Sequence, residues 1–83
     1  MQRNAAQNKQ VKEKILRLKQ SHPLGFFELS LKCMNPNYVF RNNRSQQDAT
    51  ELELIDESHH CKLETLTTLV NEGFINPPKS SWK

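Results

Sequence analysis

The segment Gly25–Cys33, "GFFELSLKC", admits two readings, and the choice between them sets the fold. Taken at every second residue, Phe27, Leu29, Leu31 and Cys33 fall on one side and Phe26, Glu28, Ser30 and Lys32 on the other, as in a half-buried strand. Taken at helical spacing, Phe27, Leu31 and Met34 share a face. Turn residues bound the segment, Gly25 before it and Asn35–Asn37 ("NPN") after it, which suits a strand. The lack of β-branched residues counts against a strand, whereas short length and the missing N-cap before Phe26 count against a helix.

The neighbours tip the balance toward strand. "NYVFRN" (Asn37–Asn42) is β-prone, and "TELELI" (Thr50–Ile55) alternates Thr50, Leu52 and Leu54 with Glu51 and Glu53. Between them lies the polar "NRSQQDA" (Asn43–Ala49), which reads as a mobile hairpin loop. A two-stranded ribbon alone is marginal, so a third strand is needed and Gly25–Cys33 can supply it. The expected fold is therefore α+β: an N-terminal helix, a small antiparallel sheet of about three strands, and a C-terminal helix packed on one sheet face. Two alternatives remain. One is three helices plus a β-hairpin, winged-helix-like; the other is a single helix over Asp48–Gly73, begun by the capping box Asp48-x-x-Glu51.

The outer elements are plainer. Val11, Ile15 and Leu18 stand at i, i+4 and i+7, which predicts a helix over about Asn8–Ser21 that Pro23 stops by steering His22 out of helical geometry. "SHHCKLETLTTLVNEGFI" (Ser58–Ile75) puts Leu63, Leu66 and Val70 on one stripe with Leu69 beside it, and Gly73 suits the position just past a helix end. Phe74 and Ile75 can fold back over the last turn, and Pro77 and Pro78 end it. The expected core holds Val11, Ile15, Leu18, Phe27, Leu29, Leu31, Val39, Leu52, Leu54, Leu63, Leu66 and Val70. Residues 1–8 read as a frayed segment, 9–76 as one domain and 77–83 as a tail whose Trp82 either closes the core or anchors a partner.

A chain of 83 residues with 35% hydrophobic content has little core to spare for a deep substrate cavity, which argues against an enzyme. No stretch approaches the roughly 18 apolar residues of a membrane span, and "MQRNAAQNKQ" has no hydrophobic core of a signal peptide. Two cysteines are too few for a disulfide-stapled secreted scaffold, so the expected location is intracellular, cytoplasmic or nuclear. In that setting the glycosylation pattern at Asn43–Ser45 is a chance match.

Charge is uneven along the chain. The net charge is +3, yet residues 1–22 sum to +5, residues 23–45 to +2 and residues 46–83 to −4. Lys9, Lys12, Lys14, Arg17 and Lys19 on the first helix, with Arg41 and Arg44 on the hairpin, form the candidate nucleic-acid grip. Phe26, Tyr38 and Phe40 could stack on bases if exposed, although core packing competes for them. The expected function is a small non-catalytic nucleic-acid-binding regulatory protein, with DNA or RNA as partner. The alternative is a protein–protein adaptor or inhibitor without nucleic-acid binding, its charge halves steering a protein partner or pairing two copies in a homodimer.

"LTTLVNEGFI" (Leu66–Ile75) resembles the end of a winged-helix recognition helix leading into a wing, over ten residues of 83. The chain departs from that family in the long gap before this helix, in the eight residues that follow Ile75, and in Glu57, Glu64 and Glu72 against Lys62 alone. No family is assigned on it. Cys33, His59, His60 and Cys61 are metal-ligand types, but consecutive residues of a helix diverge by about 100° and cannot converge on one ion. The two cysteines read instead as small buried hydrophobes that could be neighbours across sheet and helix. Cys61 beside His60 lacks an oxyanion site or any glycine-rich loop, so no catalytic residue, metal or cofactor is expected.

Overall fold

A computed structural model describes residues 5–77, with side chains from Lys9 onward. It holds four helices: α1 (Ala5–Ser21), α2 (Pro23–Met34), α3 (Asn43–Glu51) and α4 (Leu63–Asn71). α2 packs against each of the other three, and α1 also packs against α4. The expected α+β fold is overturned, because the described residues contain no sheet; the one β-type pairing is the isolated bridge Ile55–Cys61. The winged-helix-like alternative loses its hairpin for the same reason, and the turn at residues 52–62 interrupts the single Asp48–Gly73 helix.

Three expected strands thus become other things. Gly25–Cys33 lies within α2, which starts efficiently despite lacking a side-chain cap. His22 ends α1 by donating its N–H to Leu18 C=O at 2.8 Å, and its own C=O accepts Phe26 N–H at 3.1 Å, so one residue serves both helices. Pro23 follows at the first helical position, where its missing N–H costs nothing. Gly25 is needed here, since a Cβ would collide with the His22 ring. Asn37–Asn42 is irregular loop, and Thr50–Ile55 is the end of α3 followed by a turn. The expected mobile loop Asn43–Ala49 is α3 itself. The α1 and α4 expectations hold in outline, with α1 in place from Ala5 and α4 confined to Leu63–Asn71. The remaining parts of the expected frayed segment and tail, Trp82 included, lie outside the described residues.

α3 and α4 end alike. After α4, Gly73 (φ +80°) donates to Val70 C=O at 3.0 Å and Phe74 to Leu69 C=O at 2.9 Å, the paired bonds of a Schellman motif. After α3, Glu53 donates to Thr50 C=O at 2.9 Å and Leu54 to Ala49 C=O at 2.9 Å. Here the left-handed position belongs to Glu53, at φ +61°. A Cβ in that region costs about 1 kcal/mol, whereas glycine fits without strain. Glu53→Gly is therefore expected to raise the melting temperature by a few degrees, about 0.5–1 kcal/mol, because the exposed Lys14–Glu53 pair it removes contributes little. A thermal melt showing no rise would count against strain at this turn.

The core comprises Val11, Ile15, Leu18, Leu29, Cys33, Ala49, Leu54, Ile55, Leu66, Leu69 and Ile75. Six of the expected core residues are there, namely Val11, Ile15, Leu18, Leu29, Leu54 and Leu66; Leu52 and Val70 pack against the cluster from its edge. Phe27, Val39 and Leu63 are corrections, being 57%, 75% and 69% exposed. A disulfide joins Cys33 on the inner side of α2 to Cys61 at the bridge, with Cα atoms 5.2 Å apart. The sequence reading left open that the two are neighbours, but across sheet and helix and as small buried hydrophobes, with no bond between them.

Candidate partner-binding face

Helix α2 turns its charged residues toward the interior. Of its twelve residues only Glu28 and Lys32 carry charge, and both are buried, one helical turn apart. The reason lies in the loop after α2, whose polar backbone needs partners. Lys32 Nζ donates to Pro36 C=O at 2.9 Å and to Tyr38 C=O at 2.7 Å. The Glu28 carboxylate accepts Arg41 N–H at 2.7 Å, Tyr38 Oη–H at 3.0 Å and Ser45 Oγ–H at 2.9 Å. Burial pushes the Glu28 carboxyl up, but these donors, with the Asn42 backbone N–H, outweigh it and hold it below the ordinary carboxylate range. A carboxylate at the first turn of α3 also meets the positive end of that helix dipole.

The outer face of α2 is apolar too, in addition to the buried Leu29 and Cys33 of its inner face. Leu24 is 47% exposed and Phe27 57%, with the half-buried Leu31 completing an i, i+3, i+7 stripe. This uncharged stripe runs over two turns of helix, on a protein with little apolar material to spend.

The cations expected to act together are distributed around α1 and α3. Lys12 pairs with Glu72 at 3.3 Å and Lys14 with Glu53 at 3.3 Å, while Arg44 Nε meets Asp48 at 3.2 Å. Lys9 and Lys12 border an open groove against Thr67, Thr68, Asn71 and Glu72 of the α4 end. Arg17 lies on another flank of α1, in a shallow groove with Arg44, Asp48 and Glu51. Lys19 stands 5.9 Å above the Phe26 ring. Arg41 is exposed, its backbone N–H held by Glu28. The structure therefore brings Arg17 and Arg44 together at one groove and Lys9 and Lys12 at another, and three of the seven face carboxylates.

The candidate stacking aromatics are engaged with one another. Phe26 meets Phe74 edge-on with ring centres 5.4 Å apart, and Tyr38 meets Phe40 at 6.2 Å. His59 and His60 are exposed on the turn before α4, where Asp56 Oδ1 accepts Ser58 N–H and His60 N–H, each at 2.9 Å. Among the described residues no group of three His, Cys, Asp or Glu side chains could hold a metal ion, and no helix is long and apolar enough to cross a membrane.

Sequence reasoning passed over the α2 stripe because two of its three side chains, Phe27 and Leu31, were assigned to the core. The signal was present in the placement of Glu28 and Lys32 at i, i+4 within an otherwise uncharged helix. Comparison of this chain with protein-family models, with curated proteins and with solved structures finds no match.

Proposed function

We propose that this protein is a small non-catalytic protein-binding module, an adaptor or inhibitor, that docks through the outer face of α2. One observation carries the reading: Leu24 and Phe27 stand in solvent while Glu28 and Lys32 occupy the interior. Exposed aromatic and leucine side chains at i, i+3 are the anchors by which helical faces are recognised. The Cys33–Cys61 disulfide supports a chain that works oxidised, and so favours an oxidising compartment over the cytoplasm or nucleus.

A displayed library of amphipathic helical peptides, selected on the immobilised oxidised protein, tests this. Enriched peptides are expected to lose binding about a hundredfold to Phe27→Glu, because a carboxylate replaces a central apolar anchor. Peptides that bind Phe27→Glu as well as the parent would end the reading.

A nucleic-acid grip is the second reading, favoured by the exposure of Lys9, Arg17, Lys19 and Arg41 without carboxylate partners among the described residues. Titrating DNA and RNA at two salt concentrations decides it, since phosphate contacts weaken steeply as salt rises. Absence of binding at low salt ends that reading.

A further inference from the structure

We propose that Asn43 carries an N-linked oligosaccharide, attached before α3 settles on α2. Asn43-Arg44-Ser45 is the one Asn-x-Ser/Thr triplet in the chain, and its middle residue is not proline. An intracellular location would make the triplet a chance match. The Cys33–Cys61 disulfide favours an oxidising compartment instead, the setting in which such triplets meet the transferring enzyme.

The folded site has room for the sugar. Asn43 opens α3, is exposed together with Asn42 and Arg44, and its side chain has no partner among the described residues. A sugar on it displaces no core side chain.

Attachment needs a different conformation. The reaction joins Asn43 Nδ2 to the anomeric carbon of a lipid-diphosphate-linked oligosaccharide. The bond from that carbon to the phosphate oxygen breaks, the lipid diphosphate leaves, and the amide gives up one proton. The hydroxyl of the third residue has to reach the acceptor amide during transfer. On a helix, residues two apart lie about 200° around the axis and do not face each other. Ser45 is moreover fully buried, its Oγ–H donated to Glu28 at 2.9 Å. The triplet is therefore modified while still unfolded. The nine residues of α3 do not persist as a helix alone, and they lie within the loop of 28 residues that Cys33–Cys61 closes. The window ends as the Glu28 contact and the disulfide form.

Intact-mass spectrometry of the protein isolated from the cells that make it should show an added oligosaccharide. Peptide-N-glycosidase should remove it and leave residue 43 as the acid. Translation of the full chain behind a cleaved export leader into endoplasmic-reticulum microsomes reads the order of events. Asn43→Gln should lose the glycosylated band altogether, and circular dichroism verifies its fold, since the side chain is exposed. Reductant, or the Cys33→Ala, Cys61→Ala double variant, should raise the glycosylated fraction, because both keep the loop open for longer. An unmodified Asn43 in the isolated protein, or a band that survives Asn43→Gln, would overturn the site. A glycosylated fraction indifferent to both reductant and the double variant would overturn attachment before folding.

Discussion

Reduction of the Cys33–Cys61 disulfide is expected to lower the melting temperature by about 20 °C, the largest single effect in this protein. The bond closes a loop of 28 residues that includes all of α3 and the turn before α4. Closing a loop of that length removes about 3.5 kcal/mol of chain entropy from the unfolded state. A domain of this size has a total stability of about 4–12 kcal/mol, so the bond supplies a large share of it. Thermal melts followed by circular dichroism, with and without reductant, check this. The Cys33→Ala, Cys61→Ala double variant should match the reduced parent, which separates loss of the crosslink from any other action of the reductant. A shift of only a few degrees would mean that helix packing alone restricts the loop.

Replacing Glu28 is expected to be nearly as costly. Glu28→Ala removes the acceptor for Arg41 N–H, Tyr38 Oη–H and Ser45 Oγ–H at once. Hydrogen bonds to a charged acceptor contribute about 1.5–3 kcal/mol each, and one of these donors, on Ser45, is fully buried. The loss should be about 3 kcal/mol, with α3 loosening first, and Glu28→Gln should cost about half as much because its amide oxygen still accepts. The same carboxylate predicts a pH dependence. Its folded pKa lies below the ordinary value, so its contribution is present above the unfolded pKa and is lost as pH falls through the folded one. Stability measured by denaturant titration should therefore decline on acidification below the normal carboxylate range, and the decline should be shallower in Glu28→Gln. An equal pH slope in parent and variant would assign the acid sensitivity to other groups.

The helices that were legible in the sequence are those with one apolar stripe. Val11, Ile15 and Leu18 define α1, and Leu66 and Leu69 with Gly73 define α4 and its end. α2 resisted the same treatment for a physical reason. It touches three neighbours and offers a fourth face outward, so apolar residues surround it and an alternating pattern can be picked out of them. α3 was invisible because it has almost no apolar stripe: only Ser45 and Ala49 are buried. Its nine residues are too few for an isolated helix and are held by a carboxylate from another helix. The Leu52/Leu54 alternation that suggested a strand comes from the left-handed turn at Glu53, a backbone conformation that a glutamate does not advertise. The outer face of α2 went unread along with the helix. Once Phe27 and Leu31 were counted as core, Leu24 alone of the stripe was left over and too little to mark a surface.

The inward-facing charges of α2 change how substitutions in this chain should be ranked. Hydropathy would call Phe27 indispensable and treat Glu28, one residue later, as decoration. For folding the expected order is the opposite: the exposed aromatic ring should be exchangeable at little cost, whereas truncating the buried acid strips three donors of their acceptor. Adjacent positions thus answer to different pressures, Phe27 to whatever the surface meets under the proposed docking role and Glu28 to architecture. Screens scoring abundance and binding separately would sort the helix into two interleaved sets of residues.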